Sequence, residues 1–459
     1  MIPVVTPVEM AAIDASAPEP LDVLIERAGR AVAAAAIDLL GGTYGRVVNV
    51  VVGKGNNGAD GRVAARRLEA RGVKVRVIDA AMRPPVLRRS DLVIDAAYGT
   101  GFRGEWIAPE VGDALVLAVD IPSGVDALTG EAGAGVLPAD RTITFQALKP
   151  GLLLGDGARL AGHIDVADIG LDVSGASQHQ VTVDDVAEWW PTRAIDAHKW
   201  NGAVKVIGGS PEMPGAAVLA STAAARAGGS LVSLSAPGVT VATPPEIVQR
   251  HVAADDFSAD ALVDIHRFGA LVIGPGLGRA DEVLMATRAC ISDATVPVVI
   301  DGDGLFASAW SAEGPAPLLR DRELATVLTP HDGEFGVLTG SPPGADRVAS
   351  VRAAAADLGC TLLLKGQTTI VASPPEAEAD PLGGHVWFVT NGDQRLATAG
   401  SGDVLAGMIG SALAMGLDAD KAAAASAWLH ADAANRTPAD GLLASDIVDA
   451  IPAAIGAIR

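Results

Sequence analysis

From Arg46 onward the chain alternates apolar, β-branched runs with Ala-, Arg- and Leu-rich stretches: VVNVVV, AARRLEAR, KVRVID, DLVIDAA and ALVLAVDI follow one another. Continuous apolar runs separated by helical patterns predict strands of a parallel sheet covered on both faces. Such sheets bind ligands beyond the carboxyl ends of their strands. The glycine and polar clusters fall at those ends: GKGNNGADG after Val52, YGTGFRG after Ala97, and PSGVD after Ile121. A loose polar stretch around Ser174 to Gln180 then leads into a second series, VKVIGG, SLVSLS, ALVIGPG, VPVVIDGDG, ATVLTPH and TLLLKG. The pattern predicts two tandem α/β domains, residues 1–175 and 176–459, with no sequence repeat between them beyond the shared architecture.

Length supports that division, because 459 residues exceed what a single core usually serves. An apolar content of 49% against 19% charged residues describes a folded chain rather than a disordered one. The formal charge of -21 repels a polyanion at long range, which argues against non-specific nucleic-acid binding. An anionic ligand must therefore be held by local dipoles and a few basic groups. The two cysteines, Cys290 and Cys360, form no disulfide framework in a chain of this size and suit a reducing cytoplasm. The amino-terminal segment carries Glu9 and Asp14 and no basic or long apolar run, so it does not read as a secretory signal. The apolar helix around Ala28 to Leu40 is interrupted by Asp38 and is too short to span a bilayer. A cytoplasmic protein without membrane partners is expected.

Candidate chemistry concentrates in the loops. TAGSGDVLAGMIG, from Thr398 to Gly410, is a glycine-rich turn running into an apolar helix, and its N–H groups favour an anion. Asp403 in that turn reads either as a catalytic acid or base or as a helix cap, which Asp also does well. GKGNNGADG supplies glycines that let the backbone approach a phosphate ahead of a helix starting near Gly61. Asn56 and Asn57 add carbonyls for a monovalent cation or a ribose, or serve only as turn residues. Asp120 and Asp95 end strands in one layer, and with Asn57 and Ser123 they offer an all-oxygen cation site. In the second half, Lys365 with Gly366, Gln367, Thr368 and Thr369 places a cation and hydroxyls where nucleotide phosphates could lie. His331 stands with Asp332 and Glu334 on a loop after a strand, as a ligand group or a structural one. No His/Cys cluster has zinc spacing. Magnesium is expected only with a nucleotide, held by phosphate oxygens and one or two of Asp301, Asp303 and Glu334.

The order GNNGADG, DAAYGTGFRG, VDIPSGVDALTG, preceded by DVLIERAGRAVAAAA, resembles the amino-terminal NAD(P)H-hydrate epimerase domain over nearly all of residues 1 to about 170. The resemblance implies a Rossmann-like doubly wound parallel sheet in which Asn57, Asp95 and Ser123 bind potassium. It implies that the turn of Asn56, Asn57, Gly58, Ala59 and Asp60 holds the hydrated nucleotide. The loop of Gly99, Thr100, Gly101, Phe102, Arg103, Gly104 and Glu105 would hold it too, with Asp120 as the acid/base. The family usually has glycine at Ala59, which bears on how closely that turn approaches a phosphate.

From about His198 onward, HKWNGAVKVIGGS, GPGLG, TPHDGEFGVLTG, LKGQTT and TAGSGD resemble the ribokinase-like superfamily and, more narrowly, the ADP/ATP-dependent NAD(P)H-hydrate dehydratase. By that resemblance the nucleotide lies on Lys365, Gly366, Gln367, Thr368, Thr369 and Gly402. Ala216, Gly276, His331 and Asp403 contact the hydrate, with Asp403 catalytic. Trp200 replaces a glycine usual in the family, and either reshapes the rim near the hydrate or packs with Trp189 and Trp190. The combined expectation is an enzyme that epimerises R and S hydrates of NADH and NADPH and dehydrates the S form. ADP serves as co-substrate, potassium belongs to the first domain and magnesium comes with ADP in the second. Domains of this type often assemble through exposed apolar helices, so a homo-oligomer is expected. The rival is a kinase for a small vitamin-type alcohol, because the same turn serves phosphoryl transfer. Its first domain would then be a non-catalytic nucleotide-binding scaffold.

Overall fold

A computed structural model describes residues 1–375 and 383–459, which divide into compact units Ile2–Gln178 and His179–Arg459. In the first unit, strands Lys74–Asp79, Val47–Val52, Leu92–Ala96, Leu115–Val119, Arg141–Phe145 and His163–Ala167 lie side by side in that order, all parallel. Side chains alternate between faces along a strand, and both faces are covered. Val48, Val50 and Val52 pack with Leu24, Ala28 and Val32 of helix Leu21–Leu40. Val51 and Val93 turn the other way, toward Trp106 and Leu87. That is why the strands read as unbroken apolar runs rather than alternating ones.

The helix expected near Gly61 begins instead at Asn56 and runs to Glu69. Asn and Gly are weak helix formers, but in a first turn their N–H groups need no partner within the helix. Tertiary packing then closes the turn tightly: a Cβ on Gly58 would lie 2.0 Å from the carbonyl oxygen of Gly53. Ala59 is therefore a helical residue, where a methyl group costs nothing.

In the second unit, strands Ile247–Arg250, Leu231–Ser235, Ala203–Ile207, Ala270–Ile273, Val298–Ile300, Thr326–Leu328 and Thr361–Leu364 follow one another in parallel. Thr369–Ala372 and Val386–Val389 continue the sheet antiparallel. Helices Pro214–Arg226, Ser401–Ala414, Ala419–Asn435 and Ala444–Ala457 cover one face with a core dominated by alanine. Small residues let these helices approach closely. A Cβ on Gly407 would sit 2.1 Å from the carbonyl oxygen of Ala220, so Gly407→Val is expected to destabilise this unit by about 1–3 kcal/mol through overpacking. Urea unfolding should show a lower midpoint at unchanged slope.

Trp200 lies before strand Ala203–Ile207, at the amino-terminal end and away from the glycine loops. Its ring meets Phe268 edge-on at 5.6 Å and carries the Arg267 guanidinium on its face at 3.8 Å. It neither reshapes the rim of a site nor packs with its sequence neighbours: Trp189 meets Trp387 instead. Among the described residues, no helix is long and apolar enough to cross a membrane.

Candidate functional site

A cavity of about 1010 Å³ opens over the carboxyl ends of the central strands of the first unit. Asn56, Asn57, Asp60, Gly99, Thr100, Gly101, Phe102, Arg103 and Asp120 all line it, whereas Gly58, Ala59, Gly104 and Glu105 do not. Asp120 follows strand Leu115–Val119 with φ +67°, a left-handed conformation uncommon for a residue with a side chain and typical of constrained functional positions. Its Oδ1 is 2.9 Å from the Lys149 ammonium and accepts the Thr144 hydroxyl at 3.2 Å. Its Oδ2 accepts the Thr100 N–H at 3.2 Å. Burial alone would raise this carboxyl, but Lys149 and these donors outweigh it and hold it below its ordinary value, ionised.

Lys149 is the residue that sequence reasoning missed. It is fully buried and also donates to Thr144 and to the carbonyls of Phe145 and Ala147. The one signal was a lysine four residues past the end of strand Arg141–Phe145, in ALKPG. Asp60 presents the opposite case. It is 6% exposed, lines the cavity, and has no hydrogen bond or ion pair among the described residues. Burial, then the negative charges of Asp120 and Asp14, push it up to about 8.

Behind the loop Gly99–Arg103, Asp95 is buried and raised by its burial, although Ser123 donates to it from both Oγ, at 2.7 Å, and N–H, at 2.9 Å. Both polar atoms of the Asn57 side chain are buried without a partner. An orphaned amide carbonyl, a buried carboxylate with no cationic partner among the described residues, and a hydroxyl are oxygen donors that a hard monovalent cation takes. The residues present fit potassium.

In the second unit, Asp403 sits in the first turn of helix Ser401–Ala414. Gly400 is the N-cap, with φ +90°, and no side chain caps the helix. The capping role for Asp403 is thus excluded. Burial, then Asp301, Asp303 and Glu334 against the relief of Lys365, push Asp403 up to about 7. Lys365 binds Asp301 at 3.0 Å and Glu334 at 3.5 Å. Burial would discharge this amine, but the two carboxylates outweigh it and raise its value. A Cβ on Gly402 would lie 3.4 Å from the Lys365 ammonium, so the GSGD turn and Lys365 adjoin. Gly366 and Gln367 form the exposed turn that follows, ahead of Thr368 and strand Thr369–Ala372.

His331 is the N-cap of helix Asp332–Thr339; its Nδ1 accepts the N–H groups of Gly333 and Glu334 at 3.0 and 3.3 Å. Nδ1 is therefore the acceptor, and Nε2, which carries the proton, lies 3.6 Å from the Glu334 carboxylate on a side chain that is itself exposed. The structural role of the ring is thus that of a helix cap. Gly276, with φ +63°, touches Ala216: a Cβ there would lie 2.7 Å from the alanine methyl. Asp301 accepts from Thr329 and Lys365, Asp303 from Arg279 and Gly278, and Glu334 from His331 and Lys365. These carboxylates are already partnered, and among the described residues no three His, Cys, Asp or Glu side chains form a metal cluster. They do not make a magnesium cage by themselves, so a magnesium ion here would depend on nucleotide phosphate oxygens.

Residues 204–453 match the family model described as NAD(P)H-hydrate dehydratase, and residues 21–89 and 79–151 match the YjeF-related protein N-terminus. The chain is 36% identical over 457 residues to the bifunctional NAD(P)H-hydrate repair enzyme Nnr of Mycobacterium leprae, spanning 92% of this chain and 90% of that protein. The enzyme of the same description from Salinibacter ruber is 32% identical over 505 residues, spanning 94% and 91%. A ribokinase-like superfamily protein from Enterococcus faecalis superposes with a TM-score of 0.51 at 22% identity, over 62% of this chain and 97% of that one. That likeness is one of fold.

Proposed function

The chain belongs to the bifunctional NAD(P)H-hydrate repair enzymes, and from that premise we propose how its residues divide the two reactions. The amino-terminal domain is the epimerase and the carboxy-terminal domain the dehydratase. In the substrate, water has added across a ring double bond beside the nicotinamide nitrogen. Asp120 assists loss and return of the hydroxyl by proton transfer while the nitrogen lone pair stabilises the cation formed. Lys149 keeps Asp120 ionised and fixed beneath the ring. The cavity walls from Asn56 to Asp60 and from Gly99 to Arg103 hold the nucleotide. Asn57, Asp95 and Ser123 hold a potassium ion, which would neutralise the buried Asp95 carboxylate and steady the loop above it.

In the second domain, ADP lies against Gly402 and the Lys365–Thr369 turn, with magnesium on its phosphates. The hydroxyl oxygen of the S hydrate attacks the terminal phosphoryl group while Asp403 takes the hydroxyl proton, and AMP leaves. The ring nitrogen's lone pair then expels phosphate from the ring carbon, the departing phosphate takes a proton from the neighbouring carbon, and the double bond returns. Ala216, Gly276 and His331 line the hydrate side. The observation that carries the reading is Asp403: a half-buried carboxyl with no hydrogen-bond or ion-pair partner among the described residues, in the first turn of a helix whose N-terminal N–H groups favour phosphate, beside the Lys365 ammonium. A base near neutrality in that place suits proton removal from a hydroxyl.

The test is incubation with mixed R and S NADH hydrate, with ADP, ATP or neither, following recovery of dihydronicotinamide absorbance. Full recovery with ADP, including the R fraction beyond its spontaneous rate, is expected. Asp120→Asn should recover the S fraction at the normal rate and the R fraction only at its spontaneous rate, because only enzymic epimerisation is lost. Stable phosphorylation of an alcohol with no recovery would replace this reading with a kinase.

A further inference from the structure

The epimerase cavity contains a carboxyl that the mechanism above does not use for chemistry. Asp60 comes from the first turns of helix Asn56–Glu69, whereas Asp120 comes from the end of strand Leu115–Val119. Both line the same cavity, and they are close enough for the charge of one to act on the other. Their surroundings differ sharply. Asp120 is tied to Lys149, Thr144 and Thr100. Asp60 is more than nine-tenths buried, faces the cavity, and has neither a cationic partner nor a hydrogen-bond donor among the described residues.

A carboxyl so placed is stable as the neutral acid, and one gripped by an ammonium is stable as the anion. Environments that push two acids apart in this way set one as proton donor and the other as acceptor. Epimerisation at the hydroxyl-bearing carbon needs both. The hydroxyl must leave as water from one face, and water must return to the other face and lose a proton.

Resting on the epimerase reading, we infer that Asp60 and Asp120 are a catalytic pair serving opposite faces of the hydrated ring, Asp60 as acid and Asp120 as base in the resting enzyme. Asp60 donates its proton to the hydroxyl oxygen, the carbon–oxygen bond breaks, and water leaves as the ring nitrogen's lone pair forms the carbon–nitrogen double bond. A water molecule adds to the same carbon from the Asp120 side, the ring nitrogen regains its pair, and Asp120 takes the proton. The net change is one proton moved from Asp60 to Asp120, reset by solvent or by a turnover in the reverse direction.

The test uses the full chain, purified single epimers of NADH hydrate, and water enriched in heavy oxygen. Inversion and label uptake are followed separately, above their spontaneous rates. Asp60→Asn and Asp120→Asn should each slow inversion by about 10²–10⁴-fold, the usual worth of one acid or base. Oxygen exchange separates the two roles. Asp120→Asn keeps Asp60 able to expel and recapture water on its own face, so it should still exchange oxygen in one epimer and not the other. Asp60→Asn should lose exchange in that same epimer. Cooperative melting and a hydrate-induced rise in melting temperature establish that both variants fold and bind. Inversion at the wild-type rate by Asp60→Asn, or exchange in Asp120→Asn that is equal in both epimers or absent from both, would overturn the pair. Failure of the unmutated chain to invert either epimer would instead overturn the epimerase reading beneath it.

Discussion

Asp403→Asn is expected to slow nucleotide-dependent dehydration of the S hydrate by about 10²–10⁴-fold while the chain goes on interconverting the epimers. Asparagine keeps the shape of the side chain and removes the base. Its neighbours stay in place, because Lys365 is fixed by Asp301 and Glu334 and not by Asp403. The pH dependence follows from the same position. Burial and the Asp301, Asp303 and Glu334 charges push Asp403 up to about 7, so it becomes protonated as pH falls through that value and can no longer accept the hydroxyl proton. In the unmutated chain kcat/KM for dehydration should fall on the acid side of about 7, and in Asp403→Asn that limb should vanish. The linked stability runs the other way. A carboxyl raised in the fold binds its proton more tightly than the unfolded chain does, so its contribution to stability declines as pH rises from the ordinary carboxylate value through about 7. A retained acid limb in Asp403→Asn would assign the base to another group.

Lys149→Met is expected to be the most destabilising single change in the epimerase domain. The Asp120–Lys149 pair is almost fully out of water, with side chains 13% and 2% exposed. Removing one member of such a pair leaves the other charge uncompensated, at a cost of about 3–5 kcal/mol. Protection of the Leu115–Val119 amides against hydrogen exchange should fall accordingly, and epimerisation should fall with it. The sign of the pH effect is fixed by Asp120, which is held below its ordinary value. Stability from such a group is present above the unfolded carboxylate value and is lost as pH falls through the lowered one. The variant's deficit should therefore be largest near neutrality and shrink in acid, where Asp120 protonates in both proteins. A deficit independent of pH would mean that Lys149 acts by packing alone.

The apolar runs of residues 47–52, 92–96 and 115–119 were legible because burial on both faces leaves no room for alternation. The loops that follow those runs were legible for a related reason. In a parallel sheet every strand ends on the same edge, so glycines and acids after the strands must gather there, and Asn57, Gly99 and Asp120 do so around one cavity. The family resemblance likewise assigned Lys365, Gly402 and Asp403 to one nucleotide site, and the structure brings them together. Less legible were element starts. Helix Asn56–Glu69 begins within a sequence of Asn and Gly that local propensity assigns to a turn, because close packing of Gly58 against Gly53 makes the first turn there. Trp200 read as a candidate rim residue only through the family's usual glycine at that position; a loop that precedes a strand of a parallel sheet lies at the edge opposite the ligands, and there its ring meets Phe268 and Arg267.

What the sequence determined by itself is the architecture, the edge on which ligands bind, and which residue types stand on that edge, since those follow from periodicity and strand direction. What only the tertiary structure decided is the state of each acid. Asp120 is held anionic by a lysine 29 positions away along the chain, Asp60 is pushed up to about 8 by burial and then by the charges of Asp120 and Asp14, and Asp301 is paired across 64 positions with Lys365. Proton affinity depends on burial and on charges within a few ångströms, and those neighbours are brought together by the fold from segments whose spacing carries no record of their meeting.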